Sequence, residues 1–215
     1  MHLLTWQFLL CCCCALIIWL SYDHQSYVAL FKSASRQIAV LSCALICAIL
    51  WRIKAGVLSG LDLHILGVTA ITLILGWRLA ILATLLACGL LILFSQLSLM
   101  LLPYHLLFTA LLPICLSYLF FLLCYHCLAK HFFIYIFVCT FLTAAVVACF
   151  KIVSSGLFYY LIGEYTFIEI SENYLYLCAI IWFPEAMLNG MAITLLITYR
   201  PHWVKTFYDK DYLNS

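Results

Sequence analysis

The feature that most constrains this chain is its succession of long apolar runs, interrupted only by short polar stretches. A backbone in hydrocarbon finds no water to bond, so a spanning segment must satisfy its own N–H and C=O groups, and a helix does this. About 18–20 apolar residues are needed to cross a bilayer, and several runs approach or exceed that length. With 68% hydrophobic and 8% charged residues, no stretch resembles a soluble domain, a linker or a basic nucleic-acid-binding patch. The expected architecture is an all-α polytopic transmembrane helical bundle, residues 1–215 forming a single integral membrane domain. The lipid bilayer is then its surrounding, and no nucleic acid is expected as a partner.

The runs cover about 3–20, 37–51, 63–75, 79–102, 104–128, 132–153 and 174–199. The second and third are short enough to be partial, so six to seven spanning helices are expected. Positive residues favour the cytoplasmic side of a membrane. With the N-terminus outside, Lys32, Arg36, Arg78, Lys130, Arg200, Lys205 and Lys210 lie inside and only Arg52, Lys54 and Lys151 outside. The orientation expected is therefore N-out and C-in, in the inner (plasma) membrane. Thirteen cysteines invite a count of disulfides, yet most lie inside apolar runs, where cysteine serves as a small hydrophobe. No Lys or Arg precedes the first run and no A-x-A-like site follows it, so a retained N-terminus is expected rather than a cleaved signal.

That expectation gives chemical meaning to Met1-His2. The terminal amine, the next amide nitrogen and the imidazole of His2 can close adjacent chelate rings on one ion. Nitrogen-rich planar geometry suits Ni²⁺, Cu²⁺ and related ions. A fourth ligand is needed. His64 heads the third run, and the orientation above puts it on the same membrane face as His2. A run of about 13 residues covers only about 20 Å of a roughly 30 Å core, and short or interrupted helices point to binding sites within membranes. Asp62 precedes His64 either as a helix cap or as an acceptor that fixes the His64 tautomer.

Two other constellations carry chemistry. Glu185 is an acidic residue deep inside a spanning run, one turn before Asn189, and ionisable groups there are costly. The pair serves either as a polar relay or as a structural pin between helices. Cys124, His126, Cys127 and His131 have ligand-like spacing at the end of the fifth run, although interfacial side chains account for them more simply than an exit-side relay. No phosphate-cradling glycine loop, no His-Glu-x-x-His pattern and no Ser-His-Asp order is present, so no enzyme is expected and any ATP-driven energy must come from elsewhere.

Met1-His2, the stretch Gly60-Leu61-Asp62-Leu63-His64-Ile65-Leu66-Gly67, the turn Gly76-Trp77-Arg78-Leu79-Ala80 and the late Pro184-Glu185-Ala186-Met187-Leu188-Asn189-Gly190 together resemble the cobalt/nickel permease family of cobalamin biosynthesis. Its members are the substrate-capture membrane components of energy-coupling-factor transporters. The resemblance implies a planar nitrogen site built from the Met1 amine, the His2 amide, the His2 ring and the His64 ring. It also implies Co²⁺ or Ni²⁺ as transported ligand, no permanently bound cofactor, and a coupling membrane subunit with a separate ATPase as partners. The chain departs from the family pattern in three places: Leu3-Leu4-Thr5-Trp6 replaces a Pro-Asp-Gly-like turn, Asp62-Leu63 replaces a Ser-Gly before the histidine, and Asn189 stands where an acid is usual. It looks like a divergent branch. The expected function is uptake of a divalent transition metal ion, the alternative being a non-transporting structural or assembly membrane protein of the same fold.

Overall fold

The computed structural model describes residues 2–207, without the side chains of residues 2–4 and Val57. Helix α1 (His2–Ser21) bends by 70° into the short helix α2 (His24–Phe31), where the sequence suggested only a connection. Asp23 makes the corner. Its side chain accepts the Ser26 backbone N–H at 3.2 Å, capping α2, and meets Arg78 Nη1 at 2.8 Å.

Helix α3 (Ala34–Arg52) starts on the cap of Ser33, whose hydroxyl accepts the Arg36 N–H. Its buried face is Val40, Cys43, Ala44, Cys47, Ala48 and Trp51, at helical spacing and mostly small. It packs on helix α5 (Trp77–Leu93), whose facing side chains include Ala80, Ala83, Ala87 and Cys88. Lipid supplies no hydrophobic drive between helices, so small residues that let backbones approach carry this contact. Cys47 and Cys88 thus act as the small hydrophobes expected of them, and all thirteen cysteines are free.

The chain between α3 and α5 departs most from expectation. An antiparallel hairpin of β1 (Ala55–Leu58) and β2 (Leu61–Leu63) comes first, with Gly60 at positive φ in its turn. Residues 64–67 then run without regular structure, and helix α4 (Val68–Leu75) follows. His64 therefore does not open a helix. Nor does Asp62 cap one, because the N-cap position of α4 is Gly67, with φ 65° and no side-chain cap. Glycine takes that left-handed conformation without the steric cost of a Cβ. Its eight residues give α4 a length of only about 12 Å.

Two long helices complete the frame, α6 (Leu102–Cys127) and α7 (Phe132–Leu161). Each widens to a π-helical stretch near its start, Leu106–Leu111 and Tyr135–Leu142. The connection after α7 folds as α8 (Phe167–Asn173), begun by a Thr166/Glu169 capping box, and α9 (Cys178–Tyr199) follows. The segment after α9 returns to the end of α4. There the Lys205 N–H donates to Ile74 O at 3.0 Å, and the Thr206 hydroxyl donates to Leu73 O at 2.8 Å. These bonds satisfy carbonyls that the last turn of α4 leaves open.

The result is an all-α membrane bundle with one small hairpin. Phe8, Trp19, Ile38, Leu45, Phe137 and Leu195 lie exposed on its outside, as side chains facing lipid do. Among the described residues four helices are long and apolar enough to cross a membrane, or five if α1 and α2 form one broken span. The six to seven expected are not reached on length. Helix α5 has 17 residues and α4 only eight, the third run having spent its first residues on strand and loop.

Candidate metal centre

The unwound stretch before α4 is held in place by side chains from α9 and α3. Glu185 Oε2 accepts the Leu66 N–H and Oε1 the Gly67 N–H, both at 2.7 Å. Asn189 accepts the Ala70 N–H at 2.7 Å through Oδ1 and donates from Nδ2 to Glu185 Oε1 at 2.8 Å. The first amides of a helix have no partner within it, and a carboxylate there also meets the positive end of the helix dipole. On the opposite side the Trp51 indole N–H donates to Leu66 O at 3.0 Å. Both oxygens of Glu185 are engaged by α4 and its approach, so of the two roles considered, relay or pin, this geometry is that of a pin.

His64 stands at the end of this clamp. It is buried at 7% exposure, yet neither of its ring nitrogens has a hydrogen-bond partner among the described residues. Beside it lies His105, from the first turns of α6, with the two rings 5.9 Å apart at 28°. The His105 Nε2 is likewise buried without a partner. Trp51 makes T-shaped contacts with both rings. The two histidines line a cavity of about 60 Å³, with Trp51, Asp62, Tyr104 and Lys151 around it. That volume exceeds the roughly 10–15 Å³ a single water requires. Buried polar atoms are ordinarily paired, so unpaired imidazole nitrogens at one cavity mark a place for a ligand.

Charge around the cavity is organised by Lys151, 5% exposed, whose Nζ donates to Asp62 O at 2.6 Å and to the Tyr174 hydroxyl at 3.1 Å. The Asp62 carboxylate turns outward to Lys54 at 2.6 Å, so it does not fix a His64 tautomer. Burial first, then the charge of Lys151, holds the His64 imidazole well below its usual range. Neutral imidazole is the form that binds metal.

Met1 lies outside the described residues, and for His2 only the backbone, at the start of α1, is described. The nearby Trp6 packs edge-on against Phe158, which in turn touches Tyr104 at the cavity wall. The beginning of α1 therefore lies at the His64 end of the bundle. The second sequence cluster does not assemble. Cys124 is buried, Cys127 is exposed, and His131 accepts the Phe133 N–H through Nδ1 to start α7. Among the described residues no group of three or more His, Cys, Asp and Glu is arranged to hold a metal.

His105 and Lys151 were not singled out in the sequence. The signal for His105 was a histidine at the very start of a run that begins at the same end as His64. Lys151 sat two residues from the expected end of its run and was counted as a surface charge; α7 continues to Leu161, which puts it inside the bundle.

The fold is that of a polytopic membrane protein, with an interrupted segment and two unpartnered histidines at a small cavity. The chain matches the family model of the cobalt uptake substrate-specific transmembrane region (CbiM) over residues 2–203, and it belongs to that family. This is a family of membrane transporter components for cobalt rather than of enzymes. No curated protein and no solved structure matches the chain.

Proposed function

We propose that this chain captures Co²⁺ or Ni²⁺ at the outer face of the inner membrane and passes it inward. The observation that carries the proposal is His64, buried with both ring nitrogens unpartnered beside a cavity at the bundle end where α1 begins. The ligand set is the Met1 amine, the His2 amide nitrogen, the His2 ring and the His64 ring. His105 lies beside His64 with its ring within 28° of parallel. Planar nitrogen coordination disfavours Mg²⁺, which demands octahedral oxygen. Every donor must be deprotonated, so affinity falls in acid.

Four long helices, the bent first pair, α5 and the short α4 together make seven passes, with the N-terminus outside and the C-terminus inside. The short α4 needs no full span of its own, because α9 and the segment after it satisfy both of its ends. Energy comes from a separate ATPase through a coupling membrane subunit, and the protein holds no permanent cofactor. Metal analysis of the purified protein tests capture: Co²⁺ or Ni²⁺ binding that persists unchanged in His64→Ala overturns it. An N-terminal mass that lacks Met1 would remove one proposed donor, the Met1 amine, and turn the His2 amide nitrogen into a terminal amine. The alternative, a non-transporting assembly protein of the same fold, is favoured if the wild-type chain binds neither ion.

A further inference from the structure

At the end of the bundle opposite His64 lies a second cavity, of about 300 Å³, between the start of α3, the end of α4 and the segment after α9. Its polar rim carries Arg36, His202, Lys205 and the Ser35 hydroxyl, with no carboxylate in its wall. Its floor is apolar, formed by Ile74 and Leu79 among others. Among the described residues no ion pair joins Arg36 or Lys205 to an acid, and Asp23, whose charge acts on Lys205, is itself paired with Arg78. Partial burial, followed by the charges of Arg36 and Arg78, lowers Lys205 from the usual lysine value, against an opposing pull from Asp23. The 19-residue helix α3 opens at the same rim and adds its positive dipole end.

We infer that this cavity seats the phosphate group of an anionic phospholipid, its headgroup among Arg36, Lys205 and His202 and the start of its chains on the apolar floor. Basic pockets between membrane helices recognise such headgroups. Free phosphate shares the headgroup chemistry but has nothing to place on Ile74 and Leu79, and the lipid is therefore the ligand chosen. The inference does not depend on metal capture at the other end.

The test uses the full chain in nanodiscs of phosphatidylcholine, with and without phosphatidylglycerol, and native mass spectrometry of lipid retained after detergent extraction. The wild type is expected to retain phosphatidylglycerol and to melt higher in its presence, with no such gain from inorganic phosphate. Arg36→Gln and Lys205→Gln should each weaken retention about fivefold, and the double variant should lose it while still binding Co²⁺ as the wild type does. Retention unchanged in the double variant overturns the inference, as does equal retention of phosphatidylcholine, or stabilisation by inorganic phosphate matching that by lipid. If the double variant does not fold, Arg36→Gln alone, at an exposed position, decides the matter: a fivefold loss supports the site and unchanged retention overturns it.

Discussion

Glu185 and His64 are both buried polar residues, and they differ in what they touch. Every oxygen of the Glu185 carboxylate has a partner, whereas no nitrogen of His64 has one among the described residues. Glu185→Ala strips the acceptor from two buried amides, at about 1–3 kcal/mol each, so a loss of roughly 2–6 kcal/mol is expected. Glu185→Gln keeps one carbonyl oxygen and should cost less. Thermal unfolding followed by tryptophan fluorescence checks both, and an unshifted melt for Glu185→Ala would contradict the pin. The sequence made Glu185 and His64 visible as anomalies in apolar runs, but not the assignment of partners. Asp62 was expected to serve His64 or a helix; instead its carboxylate is taken by Lys54 and its carbonyl by Lys151, a residue 89 positions away. Hydropathy alone cannot report a pairing at that separation.

At the scale of elements, the break between α3 and α4 decides the fold around the cavity. Gly67 turns the chain at φ 65°, and a Cβ there would meet the Leu50 side chain at 2.9 Å. Gly67→Ala is expected to destabilise by about 1–2 kcal/mol from backbone conformation, and it should also displace His64, weakening metal binding together with the melt. A variant that binds metal and melts as the wild type does would contradict this role. The α1–α2 corner offers a pH test. The Ser26 hydrogen bond, followed by the Arg78 charge, holds the Asp23 carboxyl below its ordinary range. A depressed carboxyl contributes stability that is full above the unfolded value, near 4, and fades as pH falls through the folded one. Melting should therefore lose more on acidification in the wild type than in Asp23→Asn, and parallel pH profiles would contradict it. The long helices were legible as unbroken apolar runs. The hairpin was not, because Ala55–Leu58 and Leu61–Leu63 are too short to show a two-residue period.

For the whole molecule, class and family were legible, whereas helix length alone reaches four or five of the six to seven spans expected. Apolar length separates membrane from soluble protein, but it cannot tell a short helix pinned at both ends from a missing one. The expected orientation can be tested directly. A membrane-impermeant thiol reagent applied to intact cells should gain a labelling site in Ser59→Cys, in the hairpin turn, and none in His202→Cys at the opposite end; the reverse pattern would invert the topology. Metal capture at the His64 end is the central claim, and isothermal titration of the purified full chain with Co²⁺ and Ni²⁺ tests it most directly. The expected result is one ion bound per chain, with affinity reduced by at least about 100-fold in His64→Ala, beyond the 10–100-fold cost of losing a residue that only supports a ligand. Equal affinity in the wild type and His64→Ala would contradict it.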